Sequence, residues 1–261
     1  MRNYALVTGG SSGIGYAYAS RLASEGYNII IVSNREDLNL LSTEQIRKKY
    51  PVDIFYLTKD LTELQSAQEI YDFCQNNRYE VEVLVNNAGM FYFSSLVNMP
   101  LDINAKTTLL HVYTPTLLCS LFGNEMKKRN KGYILNASSI CAWIPYPTVS
   151  IYGASKRYIK DLSNALYFEL REYGVKVCAV SPGAVDTDLY NLSLQLRQKL
   201  LKWGIMHSAD FVATKGINAL FGGKSKCVPG RINYFFIFLV KITPDFIIKL
   251  IVKKYKTRLN L

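Results

Sequence analysis

Tyr152 and Lys156 stand four residues apart in Tyr152-Gly153-Ala154-Ser155-Lys156, and Ser139 lies thirteen residues upstream. A phenol, an ammonium and a hydroxyl so spaced can share one proton, which is what reduction of a carbonyl, or the reverse oxidation of an alcohol, requires. If 150–172 is a helix, the i, i+4 spacing sets Tyr152 and Lys156 on one face, a turn apart. A phenol ordinarily titrates near ~10, and a neighbouring cation favours tyrosinate, bringing it towards the range of a general acid or base at neutral pH. Ser139 ends the apolar strand Tyr133-Ile134-Leu135-Asn136-Ala137-Ser138 and is placed to hold the substrate oxygen.

That pair alone would also suit an ordinary amphipathic helix, and the start of the chain supplies what it lacks. Residues 3–15 read Asn-Tyr-Ala-Leu-Val-Thr-Gly-Gly-Ser-Ser-Gly-Ile-Gly, an apolar strand entering a glycine-rich turn and then a helix pattern from Ile14 to Gly26. Gly9 and Gly13 let the backbone turn tightly and approach a pyrophosphate, and Gly15 lets helix and sheet pack closely. The helix N-terminus adds unpaired N–H groups and a positive dipole end, and Ser11 and Ser12 add hydroxyls. The spacing Gly-x3-Gly-x-Gly is a variant of the Gly-x-Gly-x-x-Gly dinucleotide fingerprint.

The elements that must position these groups follow from periodicity. Short apolar runs near 4–8, 28–33, 52–57, 81–86, 132–138 and 175–181 alternate with helix patterns near 13–26, 36–49, 63–76, 99–129, 150–172 and 208–221. The alternation predicts an α/β fold, a Rossmann-like doubly wound parallel sheet with helices on both faces and ligands at the strands' carboxyl ends. The chain, 261 residues and 29.6 kDa, can bury a sizeable core, and no repeat or low-complexity linker divides it. The expected division is a dinucleotide-binding domain over 1–230 and a basic amphipathic extension over 231–261.

Taken together and in order, these motifs resemble those of the classical short-chain dehydrogenase/reductase family over about residues 3–230, most closely its branch of 3-oxoacyl reductases and hydroxysteroid dehydrogenases. Thr8-Gly9-x3-Gly13-Ile14-Gly15 resembles the family's cofactor turn, and Asp60-Leu61-Thr62 its adenine-contacting acid. Asn86-Asn87-Ala88-Gly89 resembles the segment that stabilises the central sheet, and Pro182-Gly183-x3-Thr187 the nicotinamide-side loop. Ser139, Tyr152 and Lys156 match the catalytic residues. The resemblance implies hydride transfer between a nicotinamide and a carbonyl carbon, with Tyr152 exchanging the proton and Ser139 orienting the carbonyl. It implies that Lys156 holds the nicotinamide ribose and that Asn87, Ala88 and Gly89 line the cofactor largely through backbone. Val185 and Thr187 would fix the carboxamide. It further implies a homodimer or tetramer assembled through 99–129 and 150–172.

One position departs from that pattern. Where the family carries a fourth catalytic residue, an asparagine whose helix kink frees a carbonyl to hold a water, this chain has His111. Pro115 follows four residues later, and because proline has no N–H the carbonyl of residue 111 loses its helical partner by another route. Either the pair His111 and Pro115 replaces the asparagine's structural role, with the imidazole extending the proton relay, or His111 is a packed helix histidine beside an incidental proline.

Cofactor choice turns on the end of the second strand, Ile31-Val32-Ser33-Asn34-Arg35-Glu36-Asp37. NAD enzymes usually present an acid there for the ribose 2′-hydroxyl, whereas NADP needs the acid absent and a cation nearby. Ser33 and Asn34 occupy the acid's positions and Arg35 follows, so NADP(H) is favoured over NAD(H). Glu36 and Asp37 either start the next helix, where acids suit the dipole, or reach the ribose and reverse the preference.

The substrate side is apolar. Asp188 to Met206 carries Leu189, Tyr190, Leu192, Leu194, Leu196, Leu200, Leu201 and Trp203, and Trp143 to Pro147 offers a second wall. These stretches suit either a hydrophobic small-molecule or acyl-thioester substrate or packing against neighbouring helices. From Lys224 to Leu261 there are nine basic residues and one acid, net +8 of the chain's +11. The longest uncharged stretch there, Ile232 to Val240, is too short to span a bilayer. Thr243-Pro244-Asp245 reads as a helix start, with Phe246, Ile247, Leu250 and Ile251 on one face before Lys253, Lys254, Lys256 and Arg258. This fits either peripheral contact with an anionic membrane or packing on the domain with a solvated tail. No nucleic-acid-binding motif accompanies the charge. Five scattered cysteines, two histidines and no signal peptide point to a cytoplasmic protein without disulfides or a metal. A non-catalytic NADP(H)-binding sensor and a membrane-associated scaffold stand as the alternatives to an enzyme.

Overall fold

A computed structural model describes residues 3–143, 147–187, 193–244, 246, 247 and 250. Among them, β1 (Tyr4–Thr8), β2 (Asn28–Ser33), β3 (Ile54–Thr58), β4 (Val81–Asn86), β5 (Gly132–Ala137), β6 (Val175–Val180) and the short β9 (Lys226–Cys227) form one sheet in the order β3-β2-β1-β4-β5-β6-β9. Every pairing is parallel. Successive side chains of a strand face opposite ways, so each strand feeds two cores. Ala5, Val7, Ile29 and Ile31 join α1 (Gly13–Ser24) and α8 (Ala209–Phe221), while Leu6, Ile30 and Val32 join α3 (Ser66–Asn76) and α5 (Thr114–Lys128). Burial on both faces explains why these strands read as continuous apolar runs. The fold is the expected doubly wound one.

The remaining helices are α2 (Glu36–Lys49), α4 (Leu101–Thr108), α6 (Ser150–Leu170), α7 (Leu194–Lys202) and α9 (Arg231–Ile242). In α2, Glu36 and Asp37 occupy the first turn and Arg47, Lys48 and Lys49 the last, each matching the dipole end beside it. The expected helix over 99–129 is divided. Between α4 and α5 a wider π turn covers Leu109–Tyr113, and the Thr114 N–H bonds Leu109 O, five residues back. Pro115, which offers the His111 carbonyl no N–H, accounts for the break.

The segment after Pro182-Gly183 is more ordered than periodicity suggested. β7 (Ala184–Asp186) pairs in parallel with β8 (Met206–Ser208), and α7 lies between them in the chain. α9 begins after Gly230, where φ is +88°. Its Asn233 is buried against Gly183, and Lys241 Nζ sits 5.0 Å from the centre of the Trp143 ring. The expected helix from Thr243 onward falls largely outside the described residues.

Candidate active site

The sheet order reverses direction between β1 and β4, and a doubly wound sheet leaves its crevice at such a reversal. A cavity of about 780 Å³ opens there. Of the residues singled out from sequence, Gly9, Ser11, Ser12, Gly13, Ile14, Asn34, Arg35, Asp60, Leu61, Asn87, Ala88, Gly89, Ser139, Tyr152, Lys156, Pro182, Gly183, Val185 and Thr187 line it. Thr8, Gly15 and His111 do not, and each instead contacts residues that do.

Thr8 shows why. Its buried hydroxyl donates to Val85 O at 3.3 Å and accepts the N–H groups of Asn87 and Ala88 at 3.0 and 3.1 Å. Asn87 Nδ2 returns a bond to Thr8 O at 3.2 Å. Thr8 therefore clamps the end of β1 to the end of β4. Gly9 holds φ at +64°, and a Cβ there would stand 2.9 Å from Ala88 Cα, so the turn needs glycine for both conformation and space.

α6 presents Tyr152 and Lys156 one turn apart, with the Lys156 ammonium 5.7 Å from the centre of the tyrosine ring. Lys156 Nζ donates to Ala137 O at 2.9 Å, and Ser138 Oγ donates to Lys156 O at 2.7 Å, so the end of β5 holds the lysine at both its ammonium and its carbonyl. Lys156 is buried, and burial pushes its pKa down to about 8. Ser139 is buried too, and its Oγ accepts the Cys141 N–H at 3.1 Å.

A chain of buried polar groups fixes α6 against the sheet. Asn86 Nδ2 donates to Asn136 Oδ1 at 2.8 Å, Asn136 Nδ2 to Ser163 Oγ at 2.9 Å, and Ser163 Oγ to Ile159 O at 2.6 Å. β4, β5 and α6 are thus joined at Ser163, about two turns along the helix from Lys156. Within a low-dielectric interior such linked amides hold these elements in one arrangement, although Asn86 Oδ1 is buried without a partner.

His111 lies buried at the π turn. Its Nε2 accepts the Met90 N–H at 3.0 Å, which leaves Nδ1 as the protonated nitrogen facing Ser155 Oγ at 3.0 Å. Ser155 Oγ in turn donates to Tyr152 O at 2.8 Å. Burial first, and the Lys156 charge second, hold the imidazole pKa well below its usual value. Both ring nitrogens are engaged, one with the chain following Gly89 and one with the second turn of α6.

Sequence reasoning missed several neighbours. Phe91 packs edge-on to Tyr152 at 4.8 Å between ring centres, with Phe93 edge-on to Phe91 at 4.7 Å. The run Met90-Phe91-Tyr92-Phe93, directly after Gly89, was the available signal. Asn136 was visible as one amide within an apolar strand. Lys59 and Arg197 also line the cavity, and nothing in their local sequence marks them. Conversely, the described members of the expected apolar cover, Leu194, Leu196, Leu200, Leu201 and Trp203, are not among the lining residues: Leu194, Leu196 and Trp203 are exposed, and Leu200 and Leu201 are half-buried away from the cavity. Leu189, Tyr190, Leu192, Ile144, Pro145 and Tyr146 lie outside the described residues. Trp143 packs between Lys160 and Lys241, at 4.6 and 5.0 Å, away from the cavity.

The donor set suits a dinucleotide: a glycine turn that side chains would fill, a helix N-terminus, and a buried lysine beside a phenol, all around one elongated cavity. Fold and site together define an oxidoreductase of the kind that works on CH–OH and C=O groups. Residues 3–196 match the short-chain dehydrogenase family, and the chain belongs to it. It is 30% identical to hydroxysteroid dehydrogenase-like protein 1 of Gallus gallus over 229 residues, which is 87% of this chain and 67% of that one. It is 35% identical to the very-long-chain 3-oxoacyl-CoA reductase of Mus musculus over 193 residues, 71% of this chain and 60% of that one. The chain thus spans about three fifths of the reductase it matches. A bulky-bulky ketone specific alcohol dehydrogenase from Comamonas testosteroni shares the fold at a TM-score of 0.76 and 26% identity, covering 87% of this chain and 86% of that one.

Proposed function

We propose that this chain is an NADPH-dependent carbonyl reductase, reversible as an alcohol dehydrogenase, acting on a hydrophobic ketone of 3-oxoacyl or steroid-like type. The observation that carries the reading is Tyr152 standing between a buried lysine and an aromatic cluster at the cavity wall. When bound, the nicotinamide supplies the hydride for the carbonyl carbon. Tyr152 gives its phenolic proton to the carbonyl oxygen, Ser139 hydrogen-bonds that oxygen, and the two transfers complete the alcohol. Lys156, held by Ala137 O, keeps a positive charge beside the phenol. Phe91 packs edge-on to the Tyr152 ring, with Phe93 edge-on to Phe91 behind it. His111 braces the loop after Gly89 against α6; its engaged nitrogens favour this role over proton relay.

The NADP preference rests on the end of β2. Glu36 and Asp37 lie in the first turn of α2, as one of the two sequence readings had it. Arg35 faces Asp37 at 3.5 Å with both side chains largely exposed, a weak pair that a 2′-phosphate can replace. The Lys59 N–H bonds Ser33 O, which puts a second cation beside the same strand end. The names of the relatives, a 3-oxoacyl-CoA reductase and a ketone-specific dehydrogenase, support the substrate class.

The test is NADPH oxidation against acyl thioester, steroid and small cyclic ketones, with Tyr152→Phe in parallel. The expected result is turnover by wild type and a loss of at least about 100-fold in the variant with cofactor affinity unchanged. Tight NADPH binding with no turnover on any ketone would favour a sensor.

A membrane contact is supported by one further observation. α9 buries Asn233 and Ile237 but exposes Tyr234, Phe235, Phe238, Leu239 and Ile242, an apolar stripe within the most basic part of the chain. No helix among the described residues is long and apolar enough to cross a membrane, so the contact would be peripheral. Co-flotation with anionic but not neutral vesicles is the expected result, and co-flotation with neither would exclude it. The oligomeric state implied by family resemblance is a dimer or tetramer, read by light scattering.

A further inference from the structure

Arg197 is the one basic residue of α7 that reaches the cavity. Its Nη2 donates to Thr187 O at 3.0 Å, and its Nη1 lies 3.4 Å from Asp186 Oδ1. The partners place it. A Cβ on Gly13, at the first position of α1, would meet the Thr187 methyl at 3.2 Å, so the end of β7 that holds the guanidinium lies directly across the glycine turn. Ser11, Ser12, Gly13, Asp186, Thr187 and Arg197 line the same cavity.

The other cations of the cavity wall are committed elsewhere. Arg35 follows β2 and faces Asp37, Lys59 follows β3 and pairs with Glu63 and Glu69, and Lys156 bonds Ala137 O beside Tyr152. The glycine turn itself contributes no charged side chain, only N–H groups and the dipole end of α1. Asp186 adds a negative charge across from that turn, which by itself would repel an anion there. The guanidinium both offsets Asp186 and presents a planar fork of donors suited to phosphate oxygens.

We propose that Arg197 is a diphosphate-binding residue, a cation carried by α7 that recognises the dinucleotide's diphosphate from the side opposite α1. The inference rests on reading the cavity as a dinucleotide site. It makes α7, none of whose leucines lines the cavity, part of the cofactor site instead of an apolar substrate cover.

The experiment is calorimetric titration of the full chain, at fixed ionic strength, with two probes. One is 2′-phospho-ADP-ribose, which has the diphosphate and lacks the nicotinamide. The other is adenosine 2′-monophosphate, which lacks the diphosphate. Arg197→Met is expected to weaken the first by about 10- to 100-fold and the second by less than about twofold, with Arg197→Lys intermediate. Asp186→Asn is expected to tighten the first, because it removes the opposing charge. If Arg197 and Asp186 only brace β7 against α7, both substitutions weaken binding in the same direction, and the proposal is overturned. It is equally overturned if Arg197→Met leaves 2′-phospho-ADP-ribose unaffected. Should wild type bind neither probe, nor ADP-ribose, which keeps the diphosphate and lacks the 2′-phosphate, the dinucleotide reading itself fails, an outcome distinct from either; should it bind ADP-ribose alone, the Arg197 and Asp186 variants are read with that probe to the same criteria.

Discussion

The glycine turn and the outer wall of the molecule are built on opposite principles. Around Gly9 to Gly15 the site is made of backbone, set between strands whose apolar side chains are fully buried, so that what it offers a ligand is chiefly N–H groups of fixed direction. Around Phe91 to Leu101 and on the outer face of α9, the structure is made of side chains, many of them exposed: Phe93 at 67%, Val97 at 88% and Leu101 at 86%. The difference teaches where change is tolerated. A backbone cradle cannot be altered without disturbing the sheet that carries it, whereas a side-chain wall can be rewritten with little effect on folding.

The largest effect is expected where the cradle is broken. Gly9→Val places a β-branched residue at φ +64° and drives its Cβ against Ala88 Cα. A loss of about 3 kcal/mol in stability and of measurable dinucleotide binding is expected, read by chemical denaturation and calorimetry. Next comes the buried amide chain. Asn136→Ala strips the acceptor of Asn86 and the donor to Ser163 within the interior, at a cost of about 2–3 kcal/mol. It also loosens α6, so kcat should fall with little change in cofactor affinity, which separates positioning from binding.

A smaller effect is set by pH. Lys156 has a pKa near 8 in the ligand-free protein against 10.5 unperturbed, because burial penalises its charged form. Between those values the unfolded chain binds more protons than the folded one, so this group alone makes stability rise with pH from 8 to 10.5. An anionic dinucleotide favours the charged lysine. Binding near pH 8 to 9 should therefore take up protons, and affinity should decline by up to about tenfold per unit of pH above 8. Calorimetry in buffers of different ionisation enthalpy measures the uptake, and Lys156→Met should abolish it.

The same contrast governs what could be read from residues alone. The sheet, its order of elements and the cradle were legible because parallel strands buried on both faces leave unbroken apolar runs, and a tight turn over a phosphate leaves glycines. Tyr152, Lys156 and Ser139 were legible from spacing. The break at Leu109–Tyr113 was legible only as a proline, since a π turn has no periodicity of its own. α7 and α9 escaped because few of their apolar residues are buried, which leaves no core pattern. Arg197 and Lys59 escaped because a cation's relation to a cavity is tertiary. Thr8 was read from its neighbours in the chain as part of the cofactor turn, and in space its hydroxyl ties that turn to Asn87 and Ala88, which a chain of residues alone does not display.

The smallest effect on folding is expected at the stripe of α9, and there the contrast is sharpest. Phe235 and Phe238 are each 61% exposed, so replacing both by Ser removes little buried area and should shift stability by no more than about 0.5 kcal/mol. NADPH affinity should stay constant, because the contact of α9 with the cofactor loop runs through Asn233 under Gly183 on the opposite face of the helix. What should change is partition onto anionic vesicles, since each aromatic ring withdrawn from the interface removes apolar area that the basic residues alone cannot replace. Asn233→Leu inverts the pattern: the stripe is kept, while the side chain against Gly183 changes shape and loses its bond to Pro229 O. Vesicle binding should then persist while cofactor affinity falls. If both variants lose both properties together, α9 is one inseparable unit with the cofactor site, and the division between a rigid cradle and a replaceable outer wall does not extend to this helix.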